Sequence, residues 1–316
     1  MLFVDLLLQV LNVTGPVFVL VILGLLLRRT RVVDDPFVQQ ASTLVFKAAM
    51  PAMIFIGILR ADVSTSFDPS LGALFVLFSV VSFVLTWLWA RARIHPREDR
   101  GVYVQGAFRS NTGMVGLALV VNQYGDQGLA TASYLLALHA FIFNLMSIFV
   151  LSYYSTSMRL RPGKLMADVA RNPLIIAVVI GLLANILGIR FTEWIENSIA
   201  SFGSLTLTLG LICVGASLSF SGMRTSGGAA LSAVGLRLVW IPAISAVLLV
   251  AIGERGLTLG ALYIFIASPT ATASLVMARA AGSNASLAAN IVVLSTLGAI
   301  ITMPVGLLVL SYLELI

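Results

Sequence analysis

The stretch "FRSNTGMVGLAL", from Phe108 to Leu119, lies inside an otherwise apolar part of the chain and decides how the fold is interpreted. Polar residues and glycines of this kind disfavour a continuous helix in the hydrocarbon core of a membrane. A second such stretch, "ASPT" at 267–270, interrupts an apolar segment in the other half. Non-helical backbone at membrane depth persists only where protein or water satisfies its polar groups. The two stretches therefore predict two interrupted helices.

The composition around them is that of a polytopic membrane protein. Of the 316 residues, 59% are hydrophobic and 10% are charged, with a mean hydropathy of +1.03, whereas soluble domains carry about 25% charged residues. A span needs about 20 mostly apolar residues. The segments that qualify are 6–27, 37–59, 70–90, 101–122, 128–153, 172–190, 194–220, 229–252, 257–279 and 286–313.

Several function classes are excluded by the same residues. The net charge of +6 does not indicate nucleic-acid binding, because the basic residues lie in short loops rather than on one solvated face. The single cysteine, Cys213, excludes an internal disulfide and a cysteine-based metal site. No Walker motif, paired acids or Ser–His set occurs at usable spacing. We therefore expect neither an enzyme nor a cofactor or metal, and we interpret the first apolar run as a retained span.

Basic residues are concentrated in every second loop, which predicts the orientation. The loops after spans 1, 3, 5, 7 and 9 hold Arg28, Arg29, Arg31, Arg91, Arg93, Arg97, Arg100, Arg159, Arg161, Lys164, Arg171, Arg224 and Arg279. The opposite loops hold only Arg60, Arg190 and Arg255. Because basic loops stay in the cytoplasm, both termini are expected to face away from it.

The two halves of the chain come into register at an offset of 157 residues. This offset aligns Pro16 with Pro173, Gly24 with Gly181, Gly125 with Gly282, and "NTG" at 111–113 with "SPT" at 268–270. It divides the chain into repeats at 1–158 and 159–316, each with five spans. An odd number of spans forces the second repeat to insert upside down. Inverted repeats are typical of transporters whose site lies at interrupted helices near the midplane.

The matched interruptions therefore predict a binding site. Its candidate residues are Ser110, Asn111, Thr112, Gly113, Ser268, Pro269 and Thr270. Each interruption exposes backbone N–H groups at the start of a half-helix, and such groups favour an anion. The alternative is a pair of ordinary kinks packed with small residues.

Three basic residues fall within spans, whereas no Asp or Glu lies clearly inside one. Lys47 and Arg109 are candidate partners for an anionic substrate. Lys47 could instead extend its stem to the interface, and Arg109 could tie backbone carbonyls together. For Arg237, near one end of span 8, the same interfacial placement or a structural role is expected. Without buried acids, coupling would have to use His139, backbone carbonyls, hydroxyls and amides, or be missing. The candidate amides are Gln105, Asn144 and Asn290, and His139 could instead be a core residue.

The chain resembles the auxin efflux carrier family, which includes bacterial malate and malonate permease-like proteins and PIN-type carriers. The resemblance covers nearly the whole chain and depends on "LVFKAAMPAMIF", "RSNTGMVGLAL", "LGLICVGASL", "RLVWIP" and "ASPTATASLVMARAAGSNASLAANIVVLSTLGAIITMP". It implies ten helices as two inverted repeats, with crossed broken helices at spans 4 and 9. It also implies a scaffold of spans 1, 2, 6 and 7, a transport core of spans 3–5 and 8–10, elevator-like movement and a homodimer. The short link between spans 5 and 6 is typical of bacterial members, so we expect a bacterial cytoplasmic (inner) membrane with periplasmic termini.

The leading hypothesis is an all-α secondary carrier of small organic anions, such as malate or malonate, whose partners are the substrate and membrane lipids. Fixed cations without intramembrane acids favour a carboxylate over an amine. The alternatives are a carrier of auxin-like indole carboxylates, a sodium-coupled carrier similar to bile-acid symporters, a channel, and a non-transporting sensor.

Overall fold

The computed structural model describes residues 2–61, 68–155, 163, 171–218 and 227–316. Within these ranges the chain is helical apart from short links and one isolated β-bridge. The predicted boundary between the two repeats, at 158/159, lies outside the described residues. The same is true of four basic residues used for the orientation: Arg159, Arg161, Lys164 and Arg224.

The described residues of the first half form six helices, most of them separated by short links. They are α1 (Leu2–Arg29), α2 (Asp35–Leu44), α3 (Met50–Arg60), α4 (Pro69–Arg93), α5 (Asp99–Phe108) and α6 (Leu117–Tyr154). One π-helical turn, Val45–Ala49, joins α2 to α3, and another, Thr112–Gly116, leads into α6. Helix α6 consists of two helical segments that meet at Gly125, where φ is 58°.

The described residues of the second half form seven helices. They are α7 (Pro173–Ile186), α8 (Glu193–Ala216), α9 (Gly227–Gly235), α10 (Ile241–Ala251), α11 (Gly256–Ala267), α12 (Ala273–Ala280) and α13 (Ala285–Tyr312). A third π-helical turn, Leu236–Trp240, joins α9 to α10. Gly282 follows α12 with φ of 62°. The repeat aligns Gly282 with Gly125, and both residues have a positive φ, while the duplication itself stays a prediction.

Prolines explain two of the three π-helical turns. Pro51 and Pro242 are each the second residue after such a turn. A proline has no N–H that could donate to the carbonyl of the residue four positions earlier, and its ring clashes with that carbonyl. The helix widens instead, so that the preceding N–H bonds five residues back, from Met50 to Val45 and from Ile241 to Leu236. The intramembrane cations Lys47 and Arg237 both lie within these widened turns.

Seven helical stretches in the described part of the chain are long and apolar enough to cross a membrane. Two shorter apolar helices, Pro173–Ile186 and Gly256–Ala267, coincide with predicted spans 6 and 9. Predicted spans 4 and 9 are interrupted, and the second part of span 4 runs into span 5 across Gly125. Every predicted span thus overlaps helical backbone, while the count of ten crossings and their inversion stay predictions.

Helices α1, α3, α7 and α8 pack closely on one another. Gly24 and Gly215 let α1 and α8 approach so closely that an added Cβ on either would meet backbone atoms of the other helix. At Gly203, an added Cβ would lie 2.8 Å from the Met53 backbone, which places α8 against α3. The side chain of Asn185 in α7 donates hydrogen bonds of 2.9–3.0 Å to three carbonyls at the end of α3.

Candidate functional site

The two interruptions, at residues 109–111 and 268–272, meet each other, and we call this place the crossing. Helix α5 ends at Phe108 and α11 ends at Ala267, and the extended residues that follow pair in antiparallel fashion at Ser110 and Thr270. The Asn111 N–H donates to the Pro269 carbonyl at 2.7 Å, and the Ala271 N–H donates to the Arg109 carbonyl at 3.1 Å. Each break therefore supplies hydrogen-bond partners that the other has lost.

The carbonyl ends of α5 and α11 are satisfied largely by two side chains from elsewhere in the fold. Thr270 donates its hydroxyl to the Gly106 carbonyl at 2.7 Å. The Arg237 guanidinium donates at 2.8 Å to the carbonyls of both Phe108 and Ser268, and it also donates to that of Ile266. Arg237 is 2% exposed, so it is a buried structural cation and does not extend to the interface.

The N–H ends of the two following half-helices face a cavity. Its volume is about 510 Å³. The half-helices begin after Asn111 and Thr272, and both residues line the cavity together with Gly113 and Ala273. The first N–H groups of a helix have no intrahelical partner. The cavity is thus bordered by two sets of backbone donors.

Seven of the thirteen predicted site residues line this cavity: Lys47, Arg109, Ser110, Asn111, Gly113, His139 and Asn144. The other six are not among its lining residues: Thr112, Ser268, Pro269, Thr270, Gln105 and Asn290. Thr270 and Pro269 hold the crossing together through the bonds described above. Gln105 is fully buried and directs its amide at the Met277 sulfur, 3.5 Å away. A direct role for these six in binding stays a prediction.

Arg109 is fixed to α6 by uncharged groups. One terminal nitrogen donates to the Phe143 carbonyl at 3.2 Å and the Ser147 hydroxyl at 2.9 Å, and the other donates to the Asn144 amide oxygen at 2.9 Å. Arg109 therefore makes a structural tie, through one carbonyl and two side chains. None of these partners carries charge, and no ion pair in the described ranges includes Arg109.

Several buried polar atoms at the crossing have no hydrogen-bond partner among the described residues. They include Arg109 Nε, Asn111 Nδ2, Thr112 Oγ1 and His139 Nδ1. Buried polar groups in proteins are nearly always bonded, and at membrane depth an unsatisfied group is costly. Of these four atoms, the arginine and asparagine nitrogens can only donate, and the threonine hydroxyl can donate. Such a set is suited to a ligand rich in acceptors.

The charge lining the described cavity has one sign. Lys47, Arg109 and Arg171 contribute cationic side chains, and no Asp or Glu is among the described lining residues. The ion pairs in the described ranges join Arg28 to Asp35 and Arg60 to Glu196, and neither pair includes a residue that lines this 510 Å³ cavity. The cavity thus has a net positive lining without a neutralising carboxylate.

His139 lies against aromatic rings. Its ring stacks on that of Phe143, with centroids 4.1 Å apart and planes at 23°. It lines the same cavity as Arg109 and Lys47. The structure therefore brings His139 and Asn144 into the predicted site, and it leaves the role of His139 in coupling as a prediction.

Two groups of lining residues were missed by sequence reasoning. Arg171 and Asn172 precede α7 and reach the cavity, and Asn172 caps that helix by accepting from the Leu174 N–H at 2.9 Å. Thr272 precedes α12. An Asn before Pro, and a Thr after the "SPT" break, are recognisable helix starts, and these signals could have added both residues.

A second cavity of about 450 Å³ lies near the other end of α3. Arg60, Gly57 and Asp126 are among its lining residues. Lys47 and Arg60 are 13 positions apart on α3 and its preceding turn, which corresponds to about 20 Å of helix. The first cavity therefore lies at the turn before α3 and the second lies along α3 towards its end, and both are also lined by residues of α6.

Comparison with known proteins gives the family. A family model described as membrane transport protein matches residues 10–307. The chain belongs to this membrane transport protein family. It is 25% identical over 296 residues to an uncharacterized transporter of Methanothermobacter thermautotrophicus, an alignment covering 93% of this chain and 96% of that one. It is 23% identical over 272 residues to an uncharacterized transporter of Methanocaldococcus jannaschii, covering 83% and 86%.

These matches confirm the resemblance inferred from the motifs at the level of the family. They identify a multi-pass membrane transporter rather than an enzyme. Both relatives are archaeal, so a bacterial inner membrane stays a prediction.

Proposed function

We propose that this chain is a secondary carrier of small organic anions, mono- or dicarboxylates such as malate or malonate. The observation that carries the proposal is the 510 Å³ cavity, which two half-helix N-termini border and whose lining includes three basic residues, Lys47, Arg109 and Arg171. An anion loses most of its hydration when it enters such a site, and fixed donors must replace that water. Arg109, Asn111 and the exposed backbone N–H groups are donors of this kind.

In this proposal, the charge of the site contributes more to substrate selection than its shape does. A half-helix N-terminus carries roughly half a positive charge, and Lys47 and Arg109 each add a full one. An organic cation would meet only repulsion there. Phe46, Leu136 and Leu174 supply apolar surface on the same walls, which suits the carbon skeleton of a carboxylate and leaves room for an indole acid as the alternative substrate.

An elevator-like, alternating-access movement accounts for the two cavities. Helices α1, α3, α7 and α8 correspond to predicted spans 1, 2, 6 and 7, and their close glycine-mediated contacts suit a fixed scaffold. The crossing belongs to the remaining spans, which would form the transport core. Displacing the core along α3 would transfer the crossing from the Lys47 cavity towards the Arg60 cavity. Two five-span inverted repeats, a homodimer, and a bacterial inner membrane with periplasmic termini are part of the same proposal.

A thermal-shift screen of the purified protein against mono-, di- and tricarboxylates, indole acids and amines tests the substrate class. A ligand that binds only the folded state raises the melting temperature by mass action. The proposal expects carboxylates to stabilise the protein in a saturable manner and amines to have no effect. Stabilisation by amines alone would contradict it, and stabilisation by indole acids alone would select the alternative substrate.

A further inference from the structure

Arg237 occupies a position that the substrate site does not explain. It lies in the π-helical turn between α9 and α10 and is 2% exposed. All three of its nitrogens donate to backbone carbonyls, those of Phe108, Ile266 and Ser268. It is absent from the residues lining the 510 Å³ cavity. Arg237 therefore binds the carbonyl ends of the interrupted helices and is not among the residues that line the cavity.

The carbonyls that Arg237 binds belong to two helix ends. Phe108 closes α5, and Ile266 and Ser268 lie at the end of α11. Each helix C-terminus carries roughly half a negative charge. Two such ends sum to about one negative charge, which a single guanidinium balances. In the described part of the chain no other basic side chain bonds to these carbonyls.

Without the charge of Arg237, the N–H ends at the crossing would attract an anion while the carbonyl ends would repel it. The N–H ends at Asn111 and Thr272 favour the anion, while the carbonyl ends of α5 and α11, only a few residues away, oppose it. Electrostatic interactions are weakly screened at this depth. Cancelling one pair of helix ends leaves the other pair to determine the field in the cavity.

We propose that Arg237 is a positioning residue that acts as a tethered cation, neutralising the carbonyl ends of both half-helices so that the crossing attracts anions. The proposal rests on the proposed function for its effect on the substrate. Its effect on the crossing itself is independent of any substrate. Arg237 touches no substrate, and its contribution is the charge it places behind the crossing.

Charge can be separated from hydrogen bonding by comparing Arg237→Lys with Arg237→Gln. Lysine keeps the charge but has fewer donors, and glutamine keeps donors without charge. Affinities for a dicarboxylate and for the matching monocarboxylate are measured for each variant. An uncancelled unit charge about 10 Å away lowers the dianion-to-monoanion preference about tenfold. We expect the dianion-to-monoanion affinity ratio to fall by this factor in Arg237→Gln. In Arg237→Lys we expect the same ratio to stay within about twofold of the parent value. Equal ratios in both variants would overturn the proposal.

A second measurement needs no substrate. Arg237→Ala removes the guanidinium, and millimolar methylguanidinium should then raise the melting temperature of that variant. Urea is the control ligand, because it is planar and donates hydrogen bonds but is uncharged. Arg255→Ala is the control variant, because Arg255 binds the carbonyls of Val250 and Glu254 at an exposed helix end. Rescue by methylguanidinium alone, and only in Arg237→Ala, supports the tethered cation. Equal rescue by urea, or none by either, overturns it.

The two measurements also distinguish failure of the inference from failure of the proposed function. If no carboxylate binds the parent protein while methylguanidinium rescues Arg237→Ala, the cation role stands and the substrate class is wrong. If carboxylates bind and neither measurement responds, the substrate class stands and Arg237 serves only as a hydrogen-bond donor.

Discussion

The backbone N–H of Asn111 donates a 2.7 Å hydrogen bond to the carbonyl of Pro269, across 158 residues of sequence. This bond joins the two interruptions at the centre of the fold. It uses backbone atoms alone, so the side chain of Asn111 remains free to serve another purpose. Its amide nitrogen is buried without a hydrogen-bond partner among the described residues, on the wall of the cavity.

Replacing Asn111 with Leu should therefore weaken substrate binding more than it weakens folding. The substitution removes a donor from the cavity and leaves the backbone bond to Pro269 in place. Losing a hydrogen bond to a charged ligand costs about 1.5–3 kcal/mol, so we expect affinity to fall about 10- to 100-fold. Isothermal titration calorimetry with the carboxylate that stabilises the protein most in the thermal-shift screen measures this affinity.

The matched control is Asn122→Leu. Asn122 lies on α6 but donates to the Val13 carbonyl of α1 at 3.1 Å, away from the cavity. That variant should lose melting temperature and keep its affinity. The reverse pattern in the two variants would place the binding site elsewhere.

Pro269→Ala should impair transport through the geometry of the break. Alanine restores an N–H at position 269 and removes the ring that disfavours helix there, so α11 can extend towards α12. The carbonyl that accepts from Asn111 would then move. We expect slower uptake in liposomes at near-normal expression, and normal uptake by both Pro269→Ala and Asn111→Leu would refute the crossed-break site.

Lys47→Gln should lower the affinity for a dianion more than that for a monoanion. Lys47 lines the cavity and belongs to no ion pair among the described residues, so a second carboxylate is the partner it lacks. A charge-assisted bond of about 1.5–3 kcal/mol is lost only by the dianion. Competition binding with both anions gives the ratio, and Arg255→Gln, at a distant helix end, should leave it unchanged. An unchanged ratio in Lys47→Gln would remove this residue from the site.

Arg109→Gln should reduce stability and binding together. Three acceptors on α6, at Phe143, Asn144 and Ser147, would lose their donor, and each buried orphan costs about 1–3 kcal/mol. Asn144→Ala removes only one of these bonds and should show a smaller drop in melting temperature. If Arg109→Gln lowered affinity with no change in melting temperature, the structural tie would be wrong.

Gly24→Ala tests the scaffold. An added methyl would meet the Ile212 backbone of α8, and overpacking of this kind costs about 1–3 kcal/mol. Gly15 lies on the same helix with no atom within 4 Å of an added Cβ, so Gly15→Ala should change stability by less than about 1 kcal/mol. Thermal unfolding of both variants in the same detergent measures the difference, and similar values would contradict the close α1–α8 contact.

Sequence reasoning located the interruptions because Asn, Gly and Pro have strong local effects on the backbone, and it located Lys47 and Arg109 because cations at membrane depth are rare. It left open whether Arg237 was structural, since its partners are carbonyls of helices distant in sequence. It missed Arg171 because its distance from the crossing depends on how α7 packs, whereas Asn172 and Thr272 have helix-start signals that were not used. Two of the three π-helical turns follow from Pro51 and Pro242, but their widening depends on space that only the fold defines.

The central claim is that the cavity at the crossing carries organic anions, and solute counterflow in liposomes tests it most directly. Purified protein is reconstituted in vesicles loaded with an unlabelled dicarboxylate, and entry of the labelled compound is followed, with Asn111→Leu as the matched variant. The account predicts transient, saturable accumulation that internal amines do not support and that Asn111→Leu loses. Folded parent protein that gives no counterflow with any mono- or dicarboxylate, or that gives counterflow with an amine, would contradict it.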